Sequence, residues 1–166
     1  MSAAPKIPMA NPLFDKRLVQ TLVDNVLKTL NVMAKTESKP GKPFIAPQFQ
    51  MRGDISGVVG FKTPPLEGTL LITYQKETII FIVENMLGER HPDINSDITD
   101  AVGELTNMIY GSSKTALNGM GYKFEMAIPK VHADLAAVPP FEKGATLVIP
   151  FSIQNGTTFF VEFTVK

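Results

Sequence analysis

The chain has 166 residues, enough for one domain whose core needs no staples, and no cysteine, which excludes disulfides, zinc–thiolate sites and thiol catalysis. Its 16 basic and 16 acidic residues cancel to a formal net charge of zero and form no Lys/Arg run, so neither nucleic acid nor an anionic membrane surface is an expected partner. The longest unbroken aliphatic and aromatic run, Ile79 to Val83, is far too short to span a bilayer, and the opening MSAAPKIPMANP lacks the apolar stretch of a signal peptide. A soluble, cytoplasmic protein is expected.

Residues 1–12 carry Pro5, Pro8 and Pro12 and read as a flexible tail, leaving 13–166 as a single domain. From Phe14 to Met33 the apolar residues Leu18, Val19, Leu22, Val23, Val26, Leu27 and Leu30 recur at helical spacing, and TESKPGKP (36–43) breaks the pattern. Phe44 to Met51 and Asp54 to Phe61 read as short strands around Gly53. Pro64 and Pro65 mark a turn, and LEGTLLITY (66–74) is a third strand. Gln75 to Leu87 has helical length with Gly88 as its stop signal, although the β-branched centre TIIFIV leaves strand as the alternative. Ser96 is the expected N-cap of a helix that ends near Asn118, with Gly119 or Gly121 beyond it. Tyr122 to Ile128 and Lys130 to Ala133 read as extended, and AAVPPFEKG (136–144) as loop. Thr146 to Ile153 and Thr157 to Val165 form a hairpin about Gln154-Asn155-Gly156, in which Pro150 predicts an edge position or a bulge.

The resulting order is helix, three strands, two helices, strands. It predicts an α/β fold of the α+β type, a largely antiparallel sheet packed against long helices.

Few chemistries fit this chain. GSSKT (111–115) resembles half of a phosphate-binding P-loop. Aligned on Lys114-Thr115, however, the two required glycines are Met108 and Ser113, and the stretch lies within a helical pattern. His91 and His132 sit in separate segments and read as surface residues, with no metal-ligand spacing around them. No nucleophile-elbow motif is present.

One helical face stands out. At about 100° per residue, Ile98, Ala101, Val102, Leu105, Ile109 and Ala116 gather on a core side, with Met108 at its border. Asp97, Asp100, Glu104, Asn107, Gly111 and Lys114 fall within an arc of roughly 100° elsewhere. Glu104 and Asn107, three apart, are neighbours. A polar stripe is what any surface helix shows, but Asn and Gly are poor helix formers, Gly by about 1 kcal/mol against Ala. A bare position beside a carboxylate and a carboxamide suits a helix that another protein approaches closely. Gly103 and Gly111 serve either that approach or close internal packing.

The spacing D-x-x-x-E-x-x-N in DAVGELTN (100–107) resembles the signature helix of the CheX/CheC/FliY family of chemotaxis phosphatases. GDISGVVGF, the strand EGTLLITY, the helix ending in MLG and the late hairpin follow the CheX-like order, over roughly residues 14 to 166. CheC-like members usually carry the motif twice, whereas the corresponding first-helix stretch here, LVDN, has Leu22 in place of the Glu, with Asn25 retained. One motif resembles the CheX branch.

The resemblance implies a CheC-like layered fold and a phosphatase acting on the phospho-aspartate of a CheY-like response regulator in chemotaxis or related two-component signalling. The alternative is a non-catalytic CheC-like module that docks a regulator or flagellar-switch component. Asn107 would orient the attacking water, and Glu104 would pair with a lysine of the regulator. Asp100 would support the pair, Gly111 and Lys114 would face the partner, and Tyr110, about 60° around the helix from Asn107, would either contact or obstruct it. The resemblance also implies a homodimer through sheet edges, no cofactor or metal of the chain's own, and Mg²⁺ carried by the regulator.

Overall fold

In a computed structural model, the structure describes residues 15–47, 50, 52–132 and 145–165. The expected tail at 1–12, Ala133, the loop 136–144 and part of the strand expected up to Met51 lie outside the described residues.

The apolar spacing after Asp15 produces helix α1, Lys16–Ala34, which buries Leu18, Leu22, Val26 and Leu30. Asp15 caps it by accepting from the Arg17 N–H at 2.9 Å. Two short strands follow, β1 (Ser38–Pro40) and β2 (Phe44–Ala46). The first falls within the stretch read as a breaker, so four strands, not three, separate the first two helices. The long pair β3 (Ile55–Thr63) and β4 (Leu66–Tyr74) turns at Pro64-Pro65, joined by a cis peptide.

Residues 76–87 resolve the ambiguity of TIIFIV as helix α2, Lys76–Leu87. Its buried residues Thr78, Ile79, Ile82 and Val83 repeat at helical spacing, and Gly88 closes it at φ 72° with its N–H on the Glu84 carbonyl. Helix α3 (Ser96–Asn118) is followed by β5 (Lys130–His132), β6 (Thr146–Ile153) and β7 (Thr158–Val165). Tyr122 to Ile128, expected to be extended, forms no strand.

All strand pairs are antiparallel, in the order β1-β6-β7-β4-β3-β5, with β2 also on β6. Pro150 sits mid-β6 opposite Phe160, with β7 on one side and β1 and β2 on the other. It falls in the gap between those two short strands, where its carbonyl accepts from the Gly41 N–H at 2.7 Å. A residue's N–H and C=O point to the same side of a strand. The donor that proline lacks therefore faces a break in the ladder, which takes the place of the expected edge or bulge. The hairpin turns through Gln154-Asn155-Gly156, with Gly156 at φ 84° and the Gly156 N–H on the Ile153 carbonyl at 2.9 Å. Asn155 Oδ1 accepts from the Thr157 N–H.

One face of the sheet meets the helices. Ile55, Val59, Phe61, Leu70, Ile72, Phe159, Val161 and Phe163 share a core with the buried residues of all three. Val58 and Leu71 point the other way and pack apart from it. On that second face lies Glu162, fully buried. One of its oxygens accepts from the Gln50 N–H at 3.2 Å and faces Arg52 Nε at 3.4 Å; the other has no hydrogen-bond partner among the described residues.

Burial outweighs these contacts and raises the Glu162 carboxyl from its ordinary 4.5 to about 7. Such an acid holds its proton longer when folded. Unfolding then releases a proton in that window, and stability falls as pH rises. Thermal unfolding is expected to show the melting temperature dropping from pH about 4.5 to about 7 in the native chain relative to Glu162→Gln, and the gap levelling off above it. Parallel profiles of the two proteins would remove Glu162 as the cause.

Candidate functional site

The helix that carries the candidate residues is fixed at both ends and on one side. At its start Asn95 is extended and its Oδ1 accepts from the Ile98 N–H at 3.1 Å, so Asn95 is the cap and Ser96 the first helical residue. The expected cap was one residue too late because Asn and Ser suit the position equally well. Here a contact outside the helix decides it. Asn95 Nδ2 lies 3.2 Å from His91 Nδ1. His91, read from the sequence as a surface residue, is buried, and its N–H donates to Glu84 at 2.9 Å. His132 is half-buried on β5.

His91, Glu89 and Asp97 bring ligand atoms within 4.8 Å of one another. This is not a good metal centre. With Oδ1 committed to the cap, the Asn95 amide donates to Nδ1, so Nε2 carries the proton and offers no lone pair. The cluster also sits at the positive end of α3, where a cation is disfavoured.

Midway along, Thr106 seats α3 on the sheet. It is fully buried, with its hydroxyl donating to the Val102 carbonyl at 2.7 Å. It lies over Gly57 of β3 so closely that a Cβ there would run into Thr106 Oγ1. Sequence periodicity missed both residues, because a threonine in a helix and a glycine in a strand carry no signal for mutual contact. On the neighbouring side, residues 122–131 run back along the helix as a strap. Asn118 exchanges two hydrogen bonds with Phe124, donating to its carbonyl at 3.1 Å and accepting from its N–H at 2.7 Å. The Tyr110 hydroxyl donates to the Glu125 carbonyl at 2.6 Å. A Cβ on Gly103 would stand 3.5 Å from Val131.

The strap widens the buried side of α3 beyond the expected core face. Thr106, Tyr110, Ser113 and Leu117 are buried, whereas Ala116 is only half-buried. Tyr110 is therefore an internal anchor of the strap, not the surface contact expected of it. Burial and the Glu125 charge push its hydroxyl up to about 12, so it remains a neutral donor at ordinary pH.

The exposed stripe lies where the periodicity predicts it. Asp97, Asp100, Glu104 and Asn107 are exposed, and Gly111 and Lys114 half-buried. Neither Glu104 nor Asn107 has a hydrogen-bond or ion-pair partner among the described residues. An unpartnered carboxylate acceptor thus stands beside a carboxamide that both donates and accepts. The two glycines separate: Gly103 meets Val131 at ordinary contact distance, and Gly111 has nothing within 4 Å of a built Cβ.

An antiparallel sheet backed by helices on one face is the fold this chain shares with CheC-like proteins. Residues 55–152 match the family described as chemotaxis phosphatase CheX. The chain is 28% identical over 155 residues to a CheY-P phosphatase CheX from Thermotoga maritima, covering 92% of this chain and 97% of that one. It superposes on the crystal structure of chemotaxis protein CheX from Vibrio vulnificus with a TM-score of 0.81 at 34% identity, covering 90% and 99%. The fold is also that of CheX in a CheX–CheY complex with beryllium trifluoride and magnesium from Borrelia burgdorferi, with a TM-score of 0.74 at 22% identity, covering 90% and 97%. The chain belongs to the CheX chemotaxis phosphatase family.

The two glycines in contrasting surroundings give opposite expectations in urea unfolding. Gly111→Ala should stabilise the fold by about 1 kcal/mol, the helix-propensity gain at an open position. Gly57→Ala should destabilise it by about 1–3 kcal/mol by pushing α3 off the sheet. A loss of stability in Gly111→Ala would place hidden packing at that site.

Proposed function

We propose that this chain hydrolyses the aspartyl phosphate of a CheY-like response regulator, with Asn107 and Glu104 as the residues that act on it. The observation that carries the assignment is the exposed, unpartnered Glu104/Asn107 pair one helical turn from the open Gly111. The family match and the CheY-P phosphatase relative support the reaction.

Phosphoryl transfer asks little covalent chemistry of a protein; positioning and electrostatics do most of the work. Asn107 enters the regulator's phosphorylated pocket. Its carbonyl oxygen accepts from a water while its amide holds the phosphoryl oxygens, aiming the water's lone pair in line with phosphorus. The new bond forms from that water to phosphorus, the bond from phosphorus to the aspartate oxygen breaks, and inorganic phosphate leaves a free carboxylate. Glu104 pairs with a lysine of the regulator and fixes the docking angle. Asp100 and Lys114 frame the pair along the same face, and Gly111 leaves room one turn on.

Mg²⁺ belongs to the regulator in this reading, consistent with the magnesium in the Borrelia CheX–CheY complex. The protein acts in the cytoplasm as a homodimer joined through sheet edges, where unpaired backbone groups need covering.

Turnover of phosphorylated CheY-like regulators from the same organism tests the proposal. Asn107→Ala should keep binding and lose turnover by roughly 100-fold or more, the scale of removing one positioned group from an electrostatic site. Glu104→Ala should weaken productive docking about tenfold, the scale of a truncated interface anchor. Turnover that survives Asn107→Ala would remove the water-positioning role. A native protein no faster than the regulators' own hydrolysis would leave a docking module without catalysis.

A further inference from the structure

The chain contains two Asn-Gly pairs, Asn118-Gly119 at the end of α3 and Asn155-Gly156 in the late hairpin turn. An asparagine before glycine is chemically unstable in water. Glycine has no side chain to shield its backbone nitrogen, which attacks the neighbouring side-chain carbonyl and leaves an acid in place of the amide. Exposure does not separate the two pairs, since all four residues are exposed. Both glycine N–H groups are also hydrogen-bonded, Gly119 to the Thr115 carbonyl at 3.2 Å and Gly156 to the Ile153 carbonyl at 2.9 Å. The surroundings of the two amides do separate them.

The Asn118 amide is held at both ends. Its Oδ1 accepts from the Phe124 N–H at 2.7 Å and its Nδ2 donates to the Phe124 carbonyl at 3.1 Å. Its backbone carbonyl accepts from the Gly121 N–H at 3.2 Å, and the Leu117 carbonyl from the Met120 and Tyr122 N–H groups at 2.9 and 3.2 Å. Freeing Asn118 therefore means opening the whole end of α3. The contacts of the Asn155 side chain reach no further than Thr157. Its Oδ1 accepts from the Thr157 N–H at 3.0 Å and the Thr157 hydroxyl at 2.6 Å, and its Nδ2 has no hydrogen-bond partner among the described residues. Two donors on that oxygen stabilise the charge that develops there when the carbonyl is attacked. The free amide nitrogen is the group that must leave. Releasing the Gly156 N–H breaks one turn bond at a loop tip, where local opening costs least.

We infer that Asn155 is a site of spontaneous deamidation in the folded chain, that Asn118 is protected from it, and that conversion of Asn155 loosens strand β1. The inference is independent of the phosphatase reading. In the first step the Gly156 nitrogen bonds to Asn155 Cγ and the bond from Cγ to Nδ2 breaks. Ammonia leaves with the proton from the Gly156 nitrogen. Water then opens the cyclic imide at either carbonyl. One opening gives aspartate, which keeps an oxygen for the Thr157 donors. The other gives isoaspartate, whose backbone is one carbon longer and displaces the turn. Gln154 stands in that turn, and its Oε1 accepts from the Glu37 N–H at 2.6 Å, which ties the entrance of β1 to the hairpin. Strand β1 has only three residues, lies at the end of the sheet order and pairs Ser38 with Ile153, so this tie is a large share of what holds it.

The test incubates the full native chain in mildly alkaline buffer and follows amide loss by peptide mapping with mass spectrometry, with the chain unfolded in guanidinium chloride as the reference. In the folded chain Asn155 should convert about tenfold or more faster than Asn118, the scale of the two side-chain hydrogen bonds that must open at Asn118. In the unfolded chain the two rates should agree within about threefold, because neither set of contacts persists there. Equal rates in the folded chain, or a faster Asn118, would overturn the inference. So would a folded chain that keeps Asn155 intact while the unfolded chain converts. The converted chain is then separated by ion exchange and its hydrogen exchange compared with the native chain. The Glu37 amide should exchange about tenfold faster after conversion, the scale of losing the Gln154 bond and the order around it. Unchanged Glu37 protection would overturn the link to β1. Asn155→Asp, which adds the charge without the longer backbone, should keep native Glu37 exchange, and faster exchange in that variant would overturn the same link.

Discussion

The site depends on how closely α3 lies on β3. Gly57 has no side chain, and Thr106 occupies the space one would fill. That contact fixes the rotation of the helix about its axis. With Thr106 pressed on the sheet, Asn107 is turned about 100° toward the outside, and Glu104 a further 60° or so. Rotation by one residue would press the amide onto the sheet where Thr106 sits, or turn it to the half-buried border that Met108 occupies. The direction of the candidate face is thus a consequence of a packing contact between residues that carry no chemistry of their own.

Three devices hold that orientation. The Asn95 cap fixes where the helix begins, and is itself positioned by the buried His91. The exchange between Asn118 and Phe124 fixes the far end. Tyr110 ties the middle to the strap, and Tyr122 at the head of the strap donates to Asp15, the cap of α1, at 2.7 Å. Of the polar groups of α3 that face inward, the Thr106 and Tyr110 hydroxyls are spent on scaffolding. The outward ones, Glu104 and Asn107, are left without internal partners. This suits a site that needs little covalent chemistry and works by presenting an amide in a defined direction.

Much of this was legible beforehand. The stripe from Asp97 to Lys114 follows from a 3.6-residue period, and the structure exposes or half-exposes each member of it. The strand LEGTLLITY and the late hairpin are local patterns that formed as read. Other features were not legible, for identifiable reasons. TIIFIV has no periodicity to separate helix from strand; the shared core with α1 and α3 decides it. SKP forms a strand only because β6 offers a ladder to pair with, although its own residues resist one. His91 looks like a surface residue until the Glu84 and Asn95 contacts close over it.

The sequence by itself determined which residues share a face of α3 and that this face pairs an acid with an amide, because helical geometry is local and repeats every few residues. It also determined, by having no cysteine, that disulfides, zinc–thiolate sites and thiol catalysis are excluded. Only the tertiary structure decided which way that face turns, and that Gly103 meets the strap while Gly111 stays open. Those depend on residues far apart in the chain meeting at one place. Such meetings are set by packing, which no window of sequence records.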